Sequence, residues 1–333
     1  MYFLSLIGQL ANWSIGQLSY LASCIYTNDY SLTTKKVSDL MNKRKLTSPT
    51  EVTRLLAKYD FKCKKRLGQN FLVDQNTLRI IINSLKLNKE DCILEIGTGI
   101  GTLTSALSPL VKQVISVEKD KKLAPLLEES LSSFDNIEII FEDIMNFDLV
   151  NFFEQKRTKD ENIEKIVGNL PYYISISLIR QILELNRYLK LAVFLVQKEV
   201  GERLMAQAGN KDYGILSLVA RYYSKPQKVH IVPSTVFYPQ PKVSSMIIKL
   251  DIYKKSQVQV GSEKLFFNII RASFQQRRKR LINSLSNYFK GEIAKAEIEN
   301  ILTEASIDKN RRGETLTLEE FARLSMAMEN KLA

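Results

Sequence analysis

Between residues 91 and 200, short unbroken apolar runs alternate with stretches whose apolar residues recur every three or four positions. The runs are CILEIG (92–97), QVISVEKD (113–120), IEIIFEDI (137–144), KIVGNLPYY (165–173) and LAVFLVQKEV (191–200). They are rich in Ile and Val and lack period-two alternation, as expected of parallel strands buried on both faces. LTSALSPLV (103–111), KLAPLLEESL (122–131) and SLIRQILEL (177–185) carry helical spacing between them, while 145–164 reads as a polar interval. Strands alternating with helices predict an α/β fold with a doubly wound sheet. KVHIVPSTVF (228–237) and KVSSMIIKL (242–250), joined by the proline-rich YPQPK, predict an antiparallel pair closing that sheet.

Upstream, PTEVTRLLAKY (49–59) and QNTLRIIINSL (75–85) predict helices, with KKRLGQNFLVD (64–74) a basic loop between them. Past residue 255 the pattern becomes wholly helical: 263–289, 294–305 and 317–332. The expected organisation is therefore an α/β domain over 41–255 and a small α-helical domain over 256–333. Residues 1–40 stand apart. Their first 26 positions carry no charge but are interrupted by Asn, Gln, Ser and Gly, which suits neither a spanning helix nor a signal peptide with a basic leader. Met41, opening MNKRKLTSPTEVTRLL, is the expected start, with an uncleaved peripheral extension as the alternative.

Composition is ordinary for a soluble globular chain: 333 residues, 45% hydrophobic and 25% charged. The net charge of +12 changes the picture, because such an excess attracts polyanions. It is concentrated in Lys35–Arg66, which includes Lys64, Lys65 and Arg66, and in the run Arg277, Arg278, Lys279 and Arg280. A merely solubilising face is the alternative for each cluster. Three scattered cysteines and one histidine argue against a disulfide framework or a zinc site and fit a reducing cytoplasm. No metal is expected.

Candidate chemistry lies at the ends of the apolar runs. In EIGTGIGTLT (95–104), Gly97, Gly99 and Gly101 let the chain turn sharply and approach a ligand where a Cβ would intrude. A dinucleotide fingerprint needs Gly or Ala three residues past its second glycine, and Thr102 stands there, so the spacing is wrong for NAD. Glu118 ends the second run, where an acid can accept both hydroxyls of a ribose. Asp143 ends the third, where a carboxylate can meet an adenine amino group. A tight turn for the glycines and helix capping for the acids are the alternatives. Together they describe an adenosine-shaped crevice. Glu95, just before the loop, is placed to meet an ammonium group or to orient the loop.

This arrangement resembles the class I S-adenosylmethionine-dependent methyltransferases, whose fold is a Rossmann-like doubly wound sheet. With GQNFL (68–72) and NLPY (169–172) added, it resembles the rRNA adenine-N(6) dimethyltransferases, and NLPY, VFYPQPKVSS and the tail elements ASFQQRRKRLINSL and RRGETLTLEEF point to their small-subunit branch. The resemblance runs from about residue 50 to the C-terminus. It implies S-adenosylmethionine as cofactor, cofactor contacts from Gln69, Asn70, Leu72 and Asn169 besides Glu95, the three glycines, Glu118 and Asp143, and dimethylation of two adjacent adenosines in a hairpin near the 3′ end of 16S rRNA. A late small-subunit precursor is the implied partner, and a monomer without stable membrane association is expected.

NLPY then has a chemical purpose. The Asn169 side-chain carbonyl and the Leu170 main-chain carbonyl can accept hydrogen bonds from an adenine amino group, Pro171 has no N–H to donate, and Tyr172 can stack on the unstacked base. By resemblance Phe237 covers the other face of that base; core packing is its alternative. The basic residues, Arg277–Arg280 on a helix and Lys64–Arg66 beside the crevice, can grip phosphates. Two rivals remain: methylation of large-subunit rRNA conferring macrolide resistance, and a non-catalytic RNA-binding assembly factor.

Overall fold

The computed structural model describes residues 46–159 and 161–332. Residues 1–40, the expected start at Met41, and the basic residues Lys35 to Lys45 lie outside them. Helix α1 (Pro49–Lys58) buries Val52 and Leu56, and strand β1 (Phe71–Leu72) follows within the segment read as a loop. Helix α2 (Gln75–Ser84) is capped by Asp74, whose carboxylate accepts the Thr77 N–H at 2.6 Å, an interaction of about 1 kcal/mol.

Strand β2 (Cys92–Ile96), helix α3 (Thr102–Leu107), strand β3 (Gln113–Glu118), helix α4 (Ala124–Leu131) and strand β4 (Ile137–Phe141) form the first half of the sheet. Helix α5 (Leu149–Thr158) crosses the region read as a polar interval, burying Leu149, Phe152 and Phe153. Strand β5 (Ile163–Asn169), helix α6 (Ser175–Leu183), strand β6 (Leu191–Gln197), helices α7 (Lys198–Met205) and α8 (Ile215–Tyr223), and strands β7 (Ser224–Val232), β8 (Phe237–Tyr238) and β9 (Ser245–Ile252) complete the α/β part.

The seven-stranded sheet has the order β4-β3-β2-β5-β6-β9-β7. β2 to β6 are parallel, and β9 runs antiparallel between β6 and β7, as the closing pair in the sequence predicts. Every residue of β2 is buried, as central strands covered on both faces require. The strand order reverses between β2 and β5, opening a crevice at their carboxyl ends. β8 leaves this sheet to pair antiparallel with β1, joining Leu72 to Phe237 and Phe71 to Tyr238.

Helices α9 (Glu263–Gln275), α10 (Leu281–Tyr288), α11 (Lys295–Glu304) and α12 (Leu318–Leu332) follow. Their Phe266, Leu281, Ile301 and Phe321 share one apolar cluster with Phe194, Tyr213 and Met246 of the α/β part. The helix expected through Arg277–Arg280 is interrupted. The chain leaves α9 at Gln276 (φ −134°, ψ 75°) and re-enters a helix only at Leu281. Tertiary bonds explain the break: the Arg277 guanidinium reaches the carbonyls of Lys211 (2.9 Å) and Tyr213 (3.1 Å), and the Leu281 N–H donates to the Arg311 carbonyl at 2.7 Å.

Candidate active site

An open cleft, whose space of about 660 Å³ includes bulk solvent, lies at the carboxyl ends of β2, β3, β4 and β5. Gly97 and Gly99 line it, with φ of 81° and 56°. A Cβ on Gly99 would lie 3.1 Å from the Phe71 ring, so only glycine lets the loop run beneath that ring. Gly101 lies behind the wall: it caps α3 at φ 87°, and a Cβ there would meet Leu131 at 3.0 Å.

The two strand-end acids differ in their surroundings. Glu118 is buried and its carboxylate accepts the N–H of Gly99 at 2.9 Å and of Asp120 at 2.8 Å. It thus ties β3 to the glycine loop and caps no helix. Burial raises its pKa, and the two N–H groups offset part of that rise. Asp143 accepts the Met145 N–H at 3.1 Å and pairs with Lys119 at 2.6 Å. Burial pushes its carboxyl up, but Lys119 and the Met145 N–H together hold it below its ordinary value.

Glu95 is 1% exposed, and neither carboxylate oxygen has a hydrogen-bond partner among the described residues. Burial lifts its pKa to about 8, against a smaller downward pull from Thr104 and Ser116. The two hydroxyls lie near enough to favour the charged form slightly but make no hydrogen bond of ordinary geometry, and Glu95 itself does not line the cavity, whose wall on β2 begins at Ile96.

On the β5 side, the Asn169 Nδ2 donates to the Asn70 main-chain carbonyl at 2.9 Å. A carbonyl only accepts, so the amide's NH₂ must face it, and Oδ1 is the end left for a donor in the cavity. The Leu170 N–H is taken by the Leu195 carbonyl at 3.0 Å, and Pro171 lines the cavity. Tyr172 is half-buried, its hydroxyl 3.0 Å from the Ser245 hydroxyl, which fixes the ring against β9.

Other expected positions fall elsewhere. Leu72 and Phe237 face each other across the β1–β8 pair and are buried in one apolar cluster, so neither side chain lines the cavity. Phe71 lines it instead, because adjacent residues of a strand point to opposite sides. Tyr173, 52% exposed, also lines the cavity, with the Lys119 ammonium 6.0 Å from its ring centroid. Nothing in the sequence separates Tyr173 from Tyr172.

Of the basic groups, Lys64 is paired with Asp120 at 2.8 Å and Arg277 with Glu314 at 3.0 Å. Lys65 lies in a short 3₁₀ turn, Lys65–Leu67, together with the exposed Arg66. Arg278, Lys279 and Arg280 are exposed in the turn between α9 and α10. Gln69 lines the cavity, but its amide is occupied by Lys64 and Asp120. Among the described residues no group of three or more His, Cys, Asp and Glu is placed to hold a metal ion, and no helix is long and apolar enough to cross a membrane.

Glu95 makes stability fall as pH rises. It titrates near 4.5 when exposed and at about 8 in the fold, so between those values the native state holds the extra proton. Its contribution is fully present below pH 4.5 and lost as pH rises through 8. Glu95→Gln, which cannot ionise, should gain on the parent by up to about 1.4 kcal/mol per pH unit across that window and level off above it. Urea denaturation at a series of pH values without ligand measures this, and parallel curves would contradict a buried, protonated Glu95.

Comparisons with known proteins agree with this geometry. The profile of the ribosomal RNA adenine dimethylase family matches residues 60–324. The chain is 42% identical over 290 residues to the ribosomal RNA small subunit methyltransferase A of Alkaliphilus oremlandii, covering 86% of this chain and 99% of that one. It is 44% identical over 293 residues to the protein of the same name from a Geobacillus species, covering 88% and 100%. Among solved structures, a dimethyladenosine transferase from Plasmodium falciparum superposes with a TM-score of 0.67 at 26% identity over 78% of this chain and 98% of that one. The 23S rRNA methyltransferase ErmE shares the fold at a TM-score of 0.59, 24% identity, and 78% and 100% coverage. The cofactor of such enzymes, S-adenosylmethionine, is built on an adenosine, which the cavity lined by the glycine loop, Glu118 and Asp143 fits, while Glu95 is buried and does not line it. This chain is a methyltransferase of the ribosomal RNA adenine dimethylase family.

Proposed function

We propose that this chain transfers methyl groups to the exocyclic amino groups of two adjacent adenosines in a hairpin near the 3′ end of 16S rRNA, acting as a monomer on a late small-subunit precursor in the cytoplasm. The observation that carries this is the Asn169 amide, whose NH₂ end is held by the Asn70 carbonyl. Its Oδ1 is then an acceptor prepared in advance for an adenine amino group. An amino nitrogen conjugated to the ring is a weak nucleophile. Accepting its hydrogens at Asn169 Oδ1 and the Leu170 carbonyl holds the lone pair in place and favours the positive charge that grows on nitrogen.

S-adenosylmethionine, when bound, supplies an electrophilic methyl group on sulfur. Glu118 takes the ribose hydroxyls and Asp143 the adenine amino group in this assignment, Lys119 yielding its place on Asp143. Gln69, Asn70 and the glycine loop wall the cavity. Tyr172, braced by Ser245, stacks on the target base, while Phe237, buried in the β1–β8 pair, packs in the core, the alternative to covering the base. The helical segment 256–333 acts as the RNA-binding domain through Arg278, Lys279 and Arg280, with Lys65 and Arg66 near the cavity. The names of the relatives at 42% and 44% identity favour small-subunit over large-subunit rRNA.

Transfer of labelled methyl groups to small subunits from cells lacking such an enzyme, beside naked 23S rRNA, tests the assignment. Dimethyladenosine confined to the small subunit is expected, whereas label confined to 23S rRNA would make this a large-subunit enzyme. In the same assay Asn169→Ala should slow transfer by roughly 10²–10³, the scale for losing one preorganised polar group, a much larger factor than the loss of cofactor affinity that follows from freeing the Asn70 carbonyl. Equal loss of both would remove the amino-group role.

Replacing Arg278, Lys279 and Arg280 by Ala should weaken RNA binding and reduce the slope of log affinity against log salt by about 2 to 3. Arg277→Ala should instead lower stability and leave the slope near that of the parent, since its guanidinium is committed to Glu314 and two carbonyls. A slope unchanged in the triple variant would place the RNA elsewhere.

A further inference from the structure

The segment Lys64–Asn70 is fastened at two points. At one, Asp120 receives Lys64 Nζ on both carboxylate oxygens at 2.8 Å and Gln69 Nε2 at 2.9 Å, while Gln69 Oε1 accepts the Lys64 N–H at 2.7 Å. At the other, the Asn70 carbonyl receives the Asn169 amide at 2.9 Å. Between them Leu67, Gly68, Gln69 and Asn70 form one wall of the cavity. Asp120 is 5% exposed, and its own N–H donates to Glu118 at 2.8 Å. Hydrogen bonds thus run from Glu118 through Asp120 to Gln69, and the next residue's carbonyl holds Asn169. The only regular structure in the segment is the 3₁₀ turn Lys65–Leu67, so its closed position depends on these fastenings.

We infer that Asp120 is a positioning residue: with Lys64 and Gln69 it latches the Lys64–Asn70 segment closed as a wall of the S-adenosylmethionine cavity. This rests on the proposed function, which puts the cofactor in that cavity. Lys64 is thereby committed to cofactor retention rather than to RNA phosphates. A bound cofactor packs against the closed segment and adds to the latch, so breaking the latch weakens binding but leaves the saturated enzyme closed around Asn169.

Asp120→Asn keeps the acceptor for the Lys122 N–H, and Lys64→Met keeps the aliphatic stem. Each should raise the dissociation constant for S-adenosylmethionine by about tenfold, the factor equivalent to 1.4 kcal/mol. The double variant should bind no worse than Asp120→Asn alone, because that substitution already removes the pairing with Lys64. KM for the cofactor should follow, with kcat at saturation within about twofold of the parent, the pattern of an interaction absent from the chemical step. Lys64→Arg should restore most of the affinity. Binding is read by calorimetry with S-adenosylmethionine and S-adenosylhomocysteine, and the melting midpoint without cofactor shows whether each variant is folded. Unchanged cofactor affinity in Lys64→Met, with weaker rRNA binding and a shallower salt slope, would overturn the latch and return Lys64 to the RNA. Additive losses in the double variant, or no rescue by Arg, would overturn it too. A parent protein that bound no S-adenosylmethionine would defeat the proposed function itself and the latch with it.

Discussion

The hydrogen bond from the Asn169 amide to the Asn70 carbonyl is the constraint on which the site depends. It determines which end of a nearly symmetric side chain meets the cavity, and it does so with a partner that cannot reverse its role. Next to Asn169, the end of β5 is paired closely with β2, Gly168 opposite Ile96. Gly168 permits this, since a Cβ there would stand 2.7 Å from the Ile96 carbonyl oxygen. The β1–β8 pair holds the other partner, because Phe71 and Leu72 fix the strand that begins just after Asn70.

The acids around the cavity show how strand position and immediate neighbours divide one residue type among several tasks. Glu95 is within β2 with no partner and is held protonated by burial, with a pKa of about 8. Glu118, at the end of β3, is buried as well but faces two N–H groups, so its ionised form is better tolerated. Asp143 and Asp120, just beyond their strands, each have a lysine within 2.8 Å and remain ionised. Depth below the strand end thus orders these groups from neutral to charged.

Much of this was legible in the sequence because it depends on short-range pattern. The parallel strands showed as unbroken apolar runs, and the glycines and acids stood at their ends, where an open α/β sheet binds ligands. Helix α5 was hidden by its polar residues, although Leu149, Phe152 and Phe153 at i, i+3 and i+4 carried its buried stripe. The break at Gln276 was not legible, since it follows from carbonyls at Lys211 and Tyr213, more than sixty residues away. Leu72 and Phe237 were assigned to the ligand by resemblance, yet a two-residue strand pair turns both inward and presents Phe71. In each miss, a tertiary partner rather than a local preference decided the outcome.

A chain of charge +12 that binds a cationic cofactor and polyanionic RNA must keep two opposite fields apart. Distance alone is not enough at the cavity, which Lys119 lines and beside whose wall Lys64 is paired. Screening in solution acts over roughly 8 Å at physiological ionic strength, which protects the cavity from the distant Arg278–Arg280 loop but not from its own lysines. The structure deals with those individually: Lys119 is paired with Asp143 and Lys64 with Asp120. Each pairing removes a repulsive charge from the cofactor's surroundings while leaving the carboxylate's remaining lone pairs for other donors. Arg278, Lys279 and Arg280 are exposed on the turn between α9 and α10, whereas the charged residues lining the cavity are Glu118, Glu142, Asp143 and the paired Lys119, a local balance opposite to that of the chain as a whole.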